Sequence, residues 1–209
     1  MHIPQTETNR IDILSFDEAV RLSTSDSYDR NTWTYIPDFY TEYRYVLGVK
    51  GEKTVICIGV NPSTAEPDNL DPTLKSVSRI SAANGYDSWM MFNVYAQRAT
   101  RPADMDISCN KRLHSENLLA FQSLLKSVSE SGDCPVIWAA WGAVIEKRSW
   151  LRECVRDFEL LSRDYHAQWV CAGKCTRNGH PHHPLYLKKD EPFYQYHYDK
   201  LSESSSVHY

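Results

Sequence analysis

The sequence has no apolar run approaching the roughly 20 residues that a membrane-crossing helix needs. Its first residues, Met1-His2-Ile3-Pro4-Gln5, show no basic stretch followed by an apolar one, so no secretory signal is read there. The expectation is a cytoplasmic protein with no membrane partner. Basic charge is also in short supply: 23 Lys and Arg stand against 27 Asp and Glu, a net charge of −4. That balance excludes a protein that coats nucleic acid, whose affinity rests on neutralising phosphates. It leaves room for a small basic patch at one site. Internal repeats and low-complexity tracts are absent.

What is present is enough for a full core. The 209 residues are 42% hydrophobic, which fits one domain with trimmings. Residues 1–40 read as a polar N-terminal arm carrying one short helix near Ser15 to Leu22. Residues 41–200 read as a single α/β domain, and 201–209 as a disordered tail. Cysteines stand at 57, 109, 134, 154, 171 and 175. Cys57 and Cys171 lie inside apolar runs, where a free thiol packs as a small hydrophobe. With no export signal, reduced thiols are expected.

Tyr43 to Val49 and Thr54 to Val60 flank Lys50-Gly51-Glu52, which predicts a hairpin. Val55-Ile56-Cys57-Ile58 is continuously apolar, as in a strand buried on both faces of a parallel sheet. Asp71-Pro72 opens a helix whose face carries Leu74, Val77 and Ile80, with Asp71 as N-cap rather than as a catalytic carboxylate. Trp89 to Phe92 is the next buried strand. Ser115 is expected to cap a helix with Leu118, Phe121, Leu125 and Val128 on one face. Val136 to Ala140 and Ala167 to Cys171 are further strands, separated by a helix marked by Leu151, Cys154, Val155 and Phe158. Such alternation predicts a mainly parallel central sheet with helices on both faces, a three-layer sandwich. Ligands then belong at the carboxyl ends of the strands.

The loops at those ends carry the candidate chemistry. Gly59-Val60-Asn61-Pro62-Ser63 places an amide where Pro62 holds Asn61 extended; it reads equally as a turn in which Asn61 bonds backbone. Asn93 follows four apolar residues and could pair with a base or amide edge, or simply form a turn. Arg98 could meet a phosphate, or a surface carboxylate. Trp141-Gly142 reads as close packing. His180-Pro181-His182-His183-Pro184 sets three imidazoles in a proline-stiffened loop, suited to an acid, a hydrogen-bond donor or a ligand. Cys171, Cys175, His180 and His183 raise a zinc alternative, though their spacing matches none of the usual closed sites.

Together with Asp71-Pro72-Thr73, Asn93 to Thr100, Ala140-Trp141-Gly142 and Leu185-Tyr186-Leu187, these motifs resemble the family of unknown function numbered 1643, over about residues 40–190. More distantly, their order is similar to the uracil-DNA glycosylase superfamily, in its mismatch-specific branch. Gly59-Val60-Asn61-Pro62-Ser63 resembles the first motif, whose Asn positions water. Met91-Phe92-Asn93 resembles the segment whose Asn reads the uracil edge. His183-Pro184-Leu185 resembles the second motif, whose His stabilises the departing base. The resemblance implies a glycosylase-like fold, with Asn61 and His183 as the catalytic pair. Gly59, Pro62, Ser63, Asn93, Arg98, His180 and Tyr186 would bind the substrate, with no metal or cofactor. The partner would be a nucleotide, a nucleobase or a nucleic acid, single-stranded or modified.

The sequence also departs from that pattern. Asn61 replaces the aspartate base of the strongest glycosylases, Ser63 replaces a bulky Tyr, Leu185 replaces a Ser, and no intercalating wedge is evident. Without a carboxylate at 61, slow N-glycosidic cleavage or binding without turnover is expected.

Overall fold

The computed structural model describes residues 2–197. At its centre is strand β3 (Thr54–Gly59), whose Val55, Ile56, Cys57 and Ile58 are all fully buried. A strand buried on both faces and both edges needs a ladder partner on each side. Here β3 runs parallel to β4 (Ser88–Asn93) and to β5 (Val136–Ala139). Strand β6 (Gln168–Ala172) continues the parallel set beside β5. Beyond these four, β2 (Val46–Val49) pairs antiparallel with β4 and β1 (Trp33–Ile36) antiparallel with β2, while β7 (Phe193–Gln195) closes the other edge antiparallel to β6. The seven-stranded order is β1-β2-β4-β3-β5-β6-β7, a mixed sheet in which three pairings are parallel and three antiparallel. The mainly parallel arrangement expected from the sequence describes only the middle of this sheet.

The hairpin expectation is overturned. β2 and β3 are not a hairpin, because β4 lies between them. The connection passes over the start of β4, where the Asp87 carboxylate accepts from the backbone N–H of Lys53 (2.7 Å) and Glu52 (3.3 Å). Turn residues specify a reversal, not which strand fills the space between its arms.

Alternate residues of the strands feed two apolar clusters. Val55, Cys57, Trp89, Met91 and Trp138 pack with Leu74, Val77 and Ile80 of helix α2 (Pro72–Ala83). Ile56, Ile58, Met90, Phe92 and Ile137 pack with Ala19 of α1 (Phe16–Leu22), Phe121 and Leu125 of α3 (Lys111–Glu130), and Val155 and Phe158 of α4 (Leu151–Arg163). Each fully buried Val, Leu, Ile, Phe or Met among them stabilises the fold by about 1.5–3 kcal/mol. Asp71 caps α2 by accepting from the Leu74 N–H at 2.9 Å, an interaction of about 1 kcal/mol. Helix α3 starts a turn earlier than its sequence suggests. Asn110, not Ser115, is its N-cap, because the buried face includes the polar His114 and Asn117, which apolar periodicity does not register.

The N-terminal segment packs onto the rest of the fold. It supplies α1 and edge strand β1, and Thr8, Ile13 and Ala19 are buried. The buried Asp106 carboxylate holds it, accepting from the Thr8 N–H (3.1 Å) and hydroxyl, the Tyr95 hydroxyl (2.6 Å) and Gln97 Nε2 (3.0 Å). The tail expected at 201–209 lies outside the described residues. No described helix is long and apolar enough to cross a membrane.

Candidate functional site

The parallel strands β3, β4 and β5 end at one side of the sheet, and the loops beyond β3 and β4 border a cavity of about 580 Å³. Gly59, Asn61, Pro62, Ser63, Asn93, His183 and Tyr186 all line it. Residues more than a hundred positions apart in the chain therefore share one space, as the sequence motifs suggest.

Asn93, the last residue of β4, is 1% exposed. Its carbonyl accepts from Asn117 Nδ2 of α3 at 2.8 Å, which fixes the strand end from behind. Its own Nδ2 is buried with no hydrogen-bond partner. Such an orphan donor costs about 1–3 kcal/mol while it is unpaired. Gly59 makes room for it: a Cβ there would fall 2.6 Å from Met91 Cε and 3.1 Å from Asn93 Oδ1.

Asn61 stands two residues beyond the end of β3. Its Nδ2 donates to the carbonyls of Ala99 (2.6 Å) and Pro62 (3.1 Å), tying the β3 loop to the β4 loop. Two carbonyl partners identify the nitrogen end of the amide. Oδ1 is then the end left to accept.

His183 sits against Gly142, the residue that begins the 3-10 turn Gly142–Lys147 after β5. Gly142 has φ +63°, and a Cβ on it would lie 3.2 Å from His183 Cβ. The glycine thus admits the imidazole loop, whereas its sequence context suggested helix packing. Burial pulls His183 below the usual histidine value, and the Asp71 carboxylate offsets part of that. The ring is therefore neutral near pH 7. Its Nδ1 accepts from the Leu185 N–H at 3.3 Å, which puts the single proton on Nε2. Tyr186, 82% exposed, stands at the mouth with its ring 5.8 Å from that of His183.

Two expected residues lie elsewhere. Arg98 is buried behind the loop and does not line the cavity; it donates to the Ser63 carbonyl (2.9 Å) and to the Tyr35 hydroxyl of β1 (2.8 Å). His180 is also buried away from the cavity, with Nε2 3.3 Å from Glu146 Oε1, and burial lowers its pKa. The zinc constellation is not assembled. Cys171 and Cys175 are 3.6 Å apart at sulfur, but His180 faces Glu146 and His183 the cavity. Among the described residues no three His, Cys, Asp or Glu side chains form a group able to hold a metal.

Two contributors escaped the sequence reading, and a third, Asp71, was read there only as a helix cap. Asp71 both caps α2 and supplies the only carboxylate among the cavity-lining residues. Asn117 braces Asn93. Arg44 lines the cavity although it is only 2% exposed. The visible hint for Arg44 was a charged residue set between Tyr43 and Tyr45 at the start of a strand.

A family model described as a protein of unknown function, DUF1643, matches residues 44–185. The chain belongs to this family. No curated protein and no solved structure matches it significantly. The DUF1643 match begins at Arg44 and ends at Leu185, so Asn61, Asp71, Asn93 and His183 all fall inside it. Strand β1, with the Tyr35 that braces Arg98, lies outside.

Proposed function

We propose that this DUF1643 protein binds a nucleobase or nucleotide in the cavity and cleaves its N-glycosidic bond, on a three-layer sandwich like that of the uracil-DNA glycosylase superfamily. The observation that carries this reading is the buried, unpartnered Nδ2 of Asn93 at a cavity shared with His183. A base edge supplies the acceptor that this donor lacks, and the amide Oδ1 can accept alongside it. Breaking the C–N bond leaves the electron pair on the base. The Nε2–H of His183 would donate to the base where that charge develops. Asn61 Oδ1 would hold a water for attack at the sugar carbon, and the Asp71 carboxylate would take its proton. The exposed ring of Tyr186 would stack on the ligand at the mouth.

A second reading is a base- or nucleotide-binding module without turnover. It is favoured by Asn61, whose nitrogen is wholly engaged with backbone carbonyls and which cannot itself act as a base. Incubation with uracil-containing, mismatched and hypermodified DNA, and with free nucleotides, separates the two. The enzyme releases base, and His183→Ala abolishes release. Binding by calorimetry without release supports the module. Release that survives His183→Ala removes the glycosylase assignment.

A further inference from the structure

Two guanidinium groups are buried beside the cavity loops without an ion pair among the described residues. Arg44 is 2% exposed and Arg98 3%. Arg44 donates from one terminal nitrogen to the Ala65 carbonyl at 2.7 Å, and its Nε is buried with no partner. Arg98 likewise leaves Nε unpartnered. Burying one unpaired cation is unfavourable, and here two repel each other. Burial, and then Arg98, pull Arg44 down to about 9, with Tyr35, Asp71 and Glu66 offsetting only part. An anion entering the cavity would supply the partner that Arg44 Nε lacks.

We propose that Arg44 forms an anion subsite of the cavity, which takes the phosphate of a mononucleotide whose base lies on Asn93. The assignment of the base rests on the reading above; the phosphate subsite stands on the arginines. Arg44 lines the cavity itself, and its planar fork matches a phosphate. Ser63, Thr73 and Thr100 line the same cavity, and their hydroxyls can complete the anion's shell. Asp71 opposes the anion, but it is the one carboxylate among the cavity-lining residues, and its Oδ1 already accepts from the Leu74 N–H. A buried guanidinium is reached by a small phosphate that enters the cavity, not by the backbone of a duplex. The net charge of −4 gives no general attraction to a polyanion.

The test is calorimetry on the full chain with inorganic phosphate, nucleoside 5′-monophosphates, the matching nucleosides and a short single-stranded oligonucleotide. Phosphate is expected to saturate one site, and a monophosphate to bind at least about tenfold tighter than its nucleoside. Arg44→Met should weaken phosphate and monophosphate binding by about tenfold or more while leaving nucleoside binding unchanged. Asn93→Ala should do the reverse, so failure of the base site and failure of the anion subsite are separately visible. Removing an uncompensated buried charge should also raise the melting temperature of the ligand-free Arg44→Met protein, and phosphate should raise that of the wild type more than chloride at equal ionic strength. The phosphate comparison decides the matter should the variant fail to fold. The proposal is overturned by absence of saturable phosphate binding, by unchanged binding in Arg44→Met, or by phosphate protecting no better than chloride. An oligonucleotide binding more tightly than every monophosphate overturns the mononucleotide assignment.

Discussion

Gly142 offers a way to move His183 without touching its chemistry. Its φ of +63° is left-handed, so alanine there costs roughly 1–2 kcal/mol in backbone strain alone. Gly132, beyond the end of α3, also has positive φ, +91°, and nothing lies within 4 Å of a Cβ built on it. Gly132→Ala therefore carries strain without a neighbour, and in a protein of this size should lower the melting temperature by about 2–8 °C. Gly142→Ala carries the same order of strain plus a methyl 3.2 Å from His183 Cβ and 3.5 Å from the His183 backbone nitrogen. Relief requires the loop at 183 to retreat by a few tenths of an ångström, or an overpacking cost of about 1 kcal/mol or more. The assays are thermal melting and NMR titration of the His183 imidazole. Gly132→Ala should leave that titration where it is in the wild type. Gly142→Ala should melt lower and shift His183 toward the ordinary histidine value as the ring gains solvent. Equal melting losses and an unmoved His183 titration in both variants would refute the claim that Gly142 seats the imidazole.

Other outcomes follow from the same geometry. Asn61→Asp should not create a better catalyst: it sets a carboxylate oxygen against the carbonyls of Ala99 and Pro62 and should lose about 1–3 kcal/mol by chemical denaturation. Asp106→Ala strands the donors of Thr8, Tyr95 and Gln97 and should cost at least about 2–3 kcal/mol, read in the same assay. His180 and His183 are both depressed in the folded state, so the unfolded chain binds the extra protons. Their contribution is complete above the unfolded value near pH 6.5 and is lost as pH falls below it through the folded values. Melts in that range should fall less steeply for a His180→Asn, His183→Asn double variant than for the wild type.

Much of the scaffold was legible. The continuous apolar run of β3, the Asp71-Pro72 start of α2 and the apolar face of α4 are local signals, and each element sits where those signals place it. Strand order was not legible, because a turn at 50–52 says nothing about β4 entering between its arms. The start of α3 was obscured by buried His114 and Asn117. In the site, Asn61, Asn93 and His183 share a cavity because each follows or approaches a strand end in a largely parallel centre. Arg98 and His180 looked like ligand contacts by residue type, yet their partners are a backbone carbonyl, a phenol and a glutamate. Only three-dimensional pairing reveals such braces. Arg44 was overlooked for the opposite reason: a charge between two tyrosines can be seen in the sequence, but its lack of an ion pair among the described residues cannot.

The central claim is that the amide of Asn93 and the imidazole of His183 grip the edge of one flat heterocycle. It is tested most directly by titrating the protein with free nucleobases while following the side-chain amide resonance of Asn93 and the imidazole resonances of His183. A single base should shift both sets together along one saturating curve, and Asn93→Ala should remove the response at His183. Should no base move either set, or should the two respond with unrelated affinities, the cavity is not a nucleobase site.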